Sequence, residues 1–262
     1  MLVDRLFNGV ARRMRRFVSN VRTFRDYESY QMHKRLKEQP ELLNRDELYS
    51  LAVRELGGQA IHCRPATTDI EVFDDTFFGR YHLPPDSIKP VRTVLDLGSN
   101  IGLTVAHFAA RLPAAKVVGI ELDRSNFELC VRNTEPFKSS CRVVHGAVWS
   151  TAGTVGYDGN TNWGFAVTET ECPERTAQAY TMTQLLDMFP TERVDFVKMD
   201  VEGAEGALLE NAQEWIGRIR CLKVELHSPW TREWCVDRLR EYGMECASDD
   251  RHRACVIAFN RP

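Results

Sequence analysis

No apolar run in this chain of 262 residues approaches the ~18 to 20 residues that a membrane-spanning helix requires, so no transmembrane segment is expected. Paired cysteines are missing as well. The 8 cysteines include no Cys-x-x-Cys pair, and several fall inside apolar, strand-like runs. With no secretory signal peptide ahead of them, the expectation is a reduced, cytoplasmic chain with buried thiols rather than a disulfide framework. The net charge of −3 gives no bulk sign of nucleic-acid binding. Internal repeats and low-complexity tracts are also lacking. What remains, 43% hydrophobic and 27% charged residues, excludes a disordered chain, and the length fits one large α/β domain or one domain with an appendage.

The small net charge hides an uneven distribution. Residues 1–37 carry ten basic side chains against Asp4, Asp26 and Glu28, a net of +7 that leaves −10 for the rest. In this stretch Val3, Phe7, Val10, Met14, Phe17, Val21 and Phe24 recur at steps of four and three. That is the apolar stripe of an amphipathic helix, with Arg12, Arg13, Arg15 and Arg16 mostly off it. Two readings stand: a helix docked on its own domain or on a second copy of the chain, and a helix that binds an anionic membrane surface or polyanion. Acids are present and serines few, which disfavours a mitochondrial presequence.

Downstream, Asn44 with Glu47 three residues later reads as a helix start. Leu48, Leu51, Ala52 and Leu56 continue it to a stop at Gly57-Gly58. The boundary between the N-terminal helical appendage with its lid segment (1–85) and the main domain (86–262) is placed at Pro84-Pro85. From there strand-like runs alternate with helical ones: VRTVLDLG (91–98), AKVVGIEL (115–122), CRVVHGAV (141–148), VDFVKMD (194–200) and IRCLKVELH (219–227), with helices between them. This alternation predicts βαβ crossovers and a parallel sheet. After a helix over 231–242, MECASDD and ACVIAFN flank a polar turn and read as a hairpin. The hairpin would put an antiparallel strand at the edge of a mostly parallel, seven-stranded sheet, an architecture similar to the Rossmann-like class I methyltransferases.

The first strand-to-helix turn reads Asp96-Leu97-Gly98-Ser99-Asn100-Ile101-Gly102. Ligands on open α/β sheets bind beyond the carboxyl ends of the strands, where such turns sit. The turn lacks the GxGxxG of a dinucleotide site. Asp96 would repel a pyrophosphate but can stabilise an ammonium, directly or through water. Glu121 ends the next strand, where a carboxylate accepts hydrogen bonds from a ribose diol. Together the two acids and the glycine spacing point to S-adenosylmethionine rather than NAD.

VLDLGSNIGLTVAHFA, VVGIELDRSNFELCVRN, VDFVKMDVEGAEGALLENA and LKVELH resemble successive blocks of the FkbM-type S-adenosylmethionine-dependent methyltransferases, and TTDIEVFDDTFFGRY resembles a segment ahead of their core. The likeness runs over roughly residues 67–260. Leu122 after Glu121 is a departure, since many relatives have proline there. The resemblance implies O-methyl transfer to a hydroxyl of a sugar, glycan or secondary metabolite. It implies that Asp96, Gly98, Ser99, Asn100 and Gly102 line the methionine part of the cofactor and that Glu121, followed by Leu122, holds the ribose. The turn with His145, Gly146, Ala147 and Val148 would meet the adenine. Tyr81 and Phe78 are read either as a lid or as packing.

An alcohol is a poor nucleophile until its proton leaves, so a base or a metal is expected. Asp200 and His227 end strands four and five beyond the sheet. His227 is the first choice of base, since an unperturbed imidazole titrates near ~6.5. Asp200, Glu202 and Glu225 orient it or hold a divalent ion such as magnesium, with Asp200 and Glu225 as candidate ligands. Glu205 is read as a helix N-terminal residue and Lys198 as a structural ion-pair partner. Between strands three and four an inserted hairpin carries Asn160, Asn162 and Trp163, residue types that bind sugars and equally often only pack a turn. The alternatives are methyl transfer to nitrogen, or to a protein or lipid-linked acceptor, and a non-catalytic cofactor-binding protein. Self-association through the basic helix is the expected partnership beyond the acceptor.

Overall fold

A computed structural model describes residues 22–158, 166–168, 175–249, 251–252 and 254–260. Most of the basic stripe, together with Asn160, Asn162 and Trp163, lies outside these residues. Contacts divide the chain into two compact units, Met1–Gly79 and Arg80–Pro262, a few residues ahead of the Pro84-Pro85 boundary read from the sequence.

The first unit is only partly helical. Helix α1 (Tyr27–Glu38) starts where the Asp26 carboxylate accepts from Ser29 N at 2.8 Å, a side-chain cap for an otherwise orphaned amide. The helix expected after Asn44 does not form. Its apolar residues build β1 (Tyr49–Ala52), antiparallel to β2 (Ala60–Cys63). Leu51 and Val53 alternate inward and are fully buried, a period of two that the leucine spacing masked. A 3-10 turn over Arg54–Leu56 leads to Gly57 at φ 68°, so the glycines turn a hairpin instead of ending a helix. Helix α2 (Asp69–Asp74) completes the unit. Phe24, the last residue of the basic stripe, stacks on Phe73 at 5.5 Å, and Phe78 sets its edge against both.

The second unit holds a seven-stranded sheet. Its members are β3 (Thr93–Leu97), β4 (Lys116–Glu121), β5 (Cys141–His145), β10 (Val194–Met199), β11 (Ile219–Glu225), β12 (Glu245–Ser248) and β13 (Cys255–Phe259), in the order β12-β13-β11-β10-β3-β4-β5. β5, β4, β3, β10 and β11 are parallel neighbours. The hairpin expected at the C-terminus is present, but its antiparallel strand is not the edge: β13 is inserted between β11 and β12. Helices α3 (Leu103–Arg111) and α4 (Arg124–Thr134) follow the first two strands of the sheet, and α5 (Met182–Leu186), α6 (Glu205–Leu209) and α7 (Arg232–Glu241) the later ones.

Strand alternation sends Leu95, Leu97, Val197, Met199, Leu222 and Val224 into one core and Val94, Phe196, Cys221 and Ile257 into another. Continuous apolar strands of this kind are buried on both faces. The run 141–148, read as a single strand, breaks at Gly146 (φ 154°). A Cβ there would lie 2.4 Å from the Gln178 carbonyl oxygen. Beyond the break, β6 (Ala147–Val148) joins a second sheet with β7 (Gly153–Asp158), β8 (Ala166–Thr168) and β9 (Arg175–Tyr180), in the order β6-β9-β7-β8. No helix among the described residues is long and apolar enough to cross a membrane.

Candidate functional site

Backbone contacts build the turn after β3. Gly98 lies at φ 77°, and a Cβ on it would fall 1.8 Å from the Asp200 carbonyl oxygen. Only glycine combines that φ with that approach. The turn is therefore pressed against the end of β10. Gly102 (φ 84°) faces Cys130 just as tightly, with its Cβ position 2.7 Å from Sγ. Between them Asn100 takes a left-handed φ of 48°, and its N–H donates to Glu121 Oε2 at 2.7 Å. Glu121 Oε1 accepts from Asp123 N at 2.8 Å. The carboxylate that ends β4 thus spans two loops. Burial pushes its pKa up to about 7 despite these hydrogen bonds. The Ser99 hydroxyl is buried and donates to the Asp96 carbonyl. Leu122 follows at half-burial. Gly146 N donates to the Glu121 carbonyl at 2.9 Å, which places Gly146 and Ala147 beside the same strand end.

Register sets a row of charge across the sheet. Asp96 pairs with Lys198, and Lys198 with Lys223, on three adjacent strands. Lys198 Nζ lies 3.4 Å from Asp96 Oδ1 and 3.0 Å from Asp200 Oδ2. Burial opposes its charge, but Asp200 and Asp96 outweigh burial and raise its pKa well above the usual lysine value. Lys198 is the ion-pair partner that its sequence position suggested. Asp96 is fully buried, with Oδ2 accepting from the Thr104 hydroxyl. The Tyr81 ring sits 5.9 Å from Lys198 Nζ and 5.8 Å from Lys223 Nζ, and its hydroxyl donates to Asp200 Oδ2 at 3.4 Å. Tyr81 is thereby tied to the end of β10, while Phe78 belongs to the aromatic cluster of the first unit.

The densest chemistry surrounds His227, just past β11. Nδ1 lies 2.7 Å from Glu205 Oε1, and Nε2 lies 3.7 Å from both Asp200 Oδ1 and Glu202 Oε2. Glu202 holds a left-handed φ of 47°, a strained conformation for a side chain with a Cβ. Glu205 is fully buried, so reading it as a helix-terminal residue alone is incomplete: it grips the imidazole. Burial by itself would lower the pKa of His227. The Glu205 hydrogen bond and the charges of Glu202 and Asp200 overcome that and raise it to about 9. This corrects the expectation that the ring titrates near its ordinary value, because three carboxylates converge on it. Glu202 is itself pushed up to about 7, by burial and by the charges of Asp200 and Glu205.

Glu225 stands apart from that ring. Its pKa rises to about 7 through burial and the charge of Asp200, and its ion-pair distance is to the His252 imidazole, with Oε1 3.7 Å from Nε2. The two metal-ligand candidates therefore fall into different donor groups, Asp200 with Glu202 and His227, and Glu225 with His252 and Cys255. Sequence reasoning also missed Trp230. Its indole lies where a Cβ on Gly206 would sit, 1.9 Å away, and its Nε1–H donates to the Gly203 carbonyl at 3.1 Å. That contact holds down the loop carrying Glu202 and Glu205. The Gly203 and Gly206 pair inside VEGAEG was the one signal available.

Comparison with known proteins bears on the same residues. The methyltransferase FkbM domain family matches residues 96–254, which include the turn, the VEGAE loop and His227. No curated protein matches the chain. An O-methyltransferase family protein from Burkholderia thailandensis is similar over 74% of this chain and 58% of its own, at 12% identity and a TM-score of 0.45. The N-terminal domain of human METTL16 in complex with SAH is similar over 74% of this chain and 70% of its own, at 15% identity and a TM-score of 0.39. The Methanococcus jannaschii fibrillarin pre-rRNA processing protein matches over 68% and 70%, at 14% identity and a TM-score of 0.41. The chain thus spans under two thirds of the length of the Burkholderia protein.

Proposed function

Because the chain belongs to the FkbM methyltransferase family, and is on that ground an S-adenosylmethionine-dependent methyltransferase, we propose that it transfers the methyl group to a hydroxyl of a sugar, glycan or secondary metabolite. One observation carries this reading. The cofactor turn at Gly98 touches the backbone of Asp200, and Asp200 faces an imidazole whose other nitrogen is held by a buried carboxylate. This supports a methyl donor held after β3 and a proton acceptor held after β11, with Asp200 at the end of β10 between them.

The residues fit the cofactor. Asp96 Oδ1 is buried and, beyond the Lys198 ion pair at 3.4 Å, accepts no hydrogen bond among the described residues, which leaves it capacity for the ammonium of the methionine part, directly or through water. Glu121 reaches the loops on either side of the ribose position and can exchange a backbone N–H for a diol. Gly146 and Ala147 supply main-chain groups for the adenine, and Tyr81 closes the turn against Asp200.

In the reaction the acceptor O–H proton passes to Nε2 of neutral His227. Bound S-adenosylmethionine would supply the methyl group, which the acceptor oxygen would take as the carbon–sulfur bond breaks to leave a thioether. Glu205 fixes the tautomer, keeping Nε2 turned toward the acceptor. Asp200 and Glu202 stabilise the imidazolium that forms. Alignment of the two reactants contributes on the order of 7 to 11 kcal/mol in favourable cases. An alcohol keeps its proton throughout the neutral range and needs such a base at the moment of transfer, and the carboxylate–imidazole pair supports oxygen as the acceptor atom on that ground.

A second reading rests on charge. Asp200, Glu202, Glu205 and Glu225 outnumber Lys198 and His227, and that excess suits an amine-bearing acceptor or a divalent cation. Asp200, Glu202 and His227 would hold such an ion, their donor atoms lying within 4.8 Å of one another, and it would lower the pKa of a coordinated hydroxyl. A screen of sugars, polyols and amines with labelled cofactor is expected to label a hydroxyl compound, in a reaction that EDTA leaves intact. Labelling of amines alone would overturn the oxygen reading. Loss of turnover in EDTA, restored by magnesium, would replace His227 by the ion as the activator. A cytoplasmic location, supported by the buried thiols, and self-association through the basic stripe belong to the same proposal.

A further inference from the structure

The ends of β11 and β13, with His252 just before β13, hold a second group of donors that the transfer reaction leaves unused. Glu225 and Cys255 are cross-strand partners at the ends of β11 and β13. His252 stands three residues before Cys255, and the Cys255 N–H donates to the His252 carbonyl at 3.1 Å. That backbone hydrogen bond draws His252 toward the start of β13 and its imidazole toward the Cys255 thiol. His252 Nδ1 lies 3.5 Å from Cys255 Sγ, and its Nε2 lies 3.7 Å from Glu225 Oε1. One donor atom from each of the three residues lies within 4.8 Å of the others. The Tyr81 ring, 5.5 Å from the imidazole, backs it from behind. Cys255 is buried at the base, whereas His252 is exposed by 37% and Glu225 by 18%, so the group opens on one side.

The donor types suit one ion, which would take a single nitrogen of His252, so the relevant spacing is that of the three donor atoms within 4.8 Å of one another, drawn closer on binding. Tetrahedral zinc, with bonds of about 2.3 Å to sulfur and about 2.0–2.2 Å to nitrogen and oxygen, sets its donors about 3.3–3.6 Å apart. A thiolate with an imidazole selects zinc over magnesium or calcium, which prefer oxygen alone. Short spacing between two ligands in one turn, with the third supplied from a neighbouring strand, is the pattern of protein zinc sites. We propose that Glu225, His252 and Cys255 form a zinc site with three protein ligands and a fourth position left for water.

The site is separate from Asp200, Glu202 and His227 and does not depend on which acceptor is methylated. Its link to the reaction runs through Glu225, whose pKa burial and the charge of Asp200 raise. Zinc withdraws the charge of Glu225 from the acidic group around His227. Without a metal the Cys255 thiol is held protonated, burial raising its pKa to about 12, and it is no nucleophile.

Cobalt titration of the full chain, kept reduced by a non-chelating phosphine, tests the site without any acceptor. One equivalent of Co(II) is expected to raise a thiolate-to-cobalt charge-transfer band that zinc then abolishes. Cys255→Ser should remove the band. His252→Ala, a change at a half-exposed residue, should weaken binding by at least about 10-fold, since even outer-sphere partners of a metal are worth ~10–100-fold. His227→Ala should leave the band unchanged. S-adenosylhomocysteine binding in each variant establishes that it is folded. The proposal is overturned if the wild type shows no band, if the band survives Cys255→Ser, or if His227→Ala removes it.

Discussion

Replacing His227 by alanine is expected to lower methyl transfer by about 10²- to 10⁴-fold, the usual contribution of a positioned general base, while affinity for S-adenosylhomocysteine stays within a few fold. The imidazole touches the carboxylates of β10 and the VEGAE loop rather than the cofactor turn, so its loss should fall on turnover. The pH profile separates a base from a merely structural histidine. Only neutral imidazole accepts a proton, and the ring is held charged up to about pH 9. The wild-type rate should therefore rise as pH climbs through that region. Glu205→Gln removes a negative partner that raises the pKa, so the inflection should move down toward the ordinary histidine value. A residue that only caps α6 would leave the inflection in place and change stability alone. Unchanged turnover in His227→Ala contradicts the assignment of the base.

Gly98→Ala is expected to abolish cofactor binding and to cost roughly 1–3 kcal/mol of stability, the range for a side chain forced into a left-handed conformation. The added methyl would meet a main-chain carbonyl oxygen at 1.8 Å, an atom that cannot rotate away. Relief requires the cofactor turn to separate from the end of β10, which parts the methyl donor from Asp200 and His227. Gly217→Ala is the control, since its Cβ position has nothing within 4 Å. It should leave thermal stability and S-adenosylhomocysteine binding unchanged. A Gly98→Ala protein that binds the cofactor normally would show that the turn is scaffolding.

The sheet and the turn were legible in the sequence because their causes are local. Buried parallel strands read as apolar runs, Gly98 and Gly102 mark left-handed backbone, and Asp96 and Glu121 end neighbouring strands. The pairing of Glu205 with His227 was not legible. Three residues after Glu202 and at the start of a short helix, Glu205 looks like a cap, and nothing in periodicity reveals a partner 22 residues away. The histidine pKa was misjudged for the same reason, since the carboxylates that raise it come from another strand end and loop. The segment after Asn44 misled through a leucine spacing compatible with both periods, and only pairing with Ile61 and Cys63 decides for the strand. Insertion of β13 between β11 and β12 is a choice of sheet partner, which a hairpin pattern alone leaves open. Gly146 stood in plain view, but a glycine that breaks a strand looks like one that merely ends it.

The account rests on the turn after β3 and the carboxylate ending β4 holding S-adenosylmethionine. Calorimetric titration with S-adenosylhomocysteine and with NAD, in the wild type and in Glu121→Ala, tests this without an acceptor. The account predicts micromolar binding of S-adenosylhomocysteine alone, weakened at least about 10-fold by the substitution, as loss of hydrogen bonds to a buried charged group implies. Binding of NAD, or S-adenosylhomocysteine binding that Glu121→Ala leaves untouched, would contradict it.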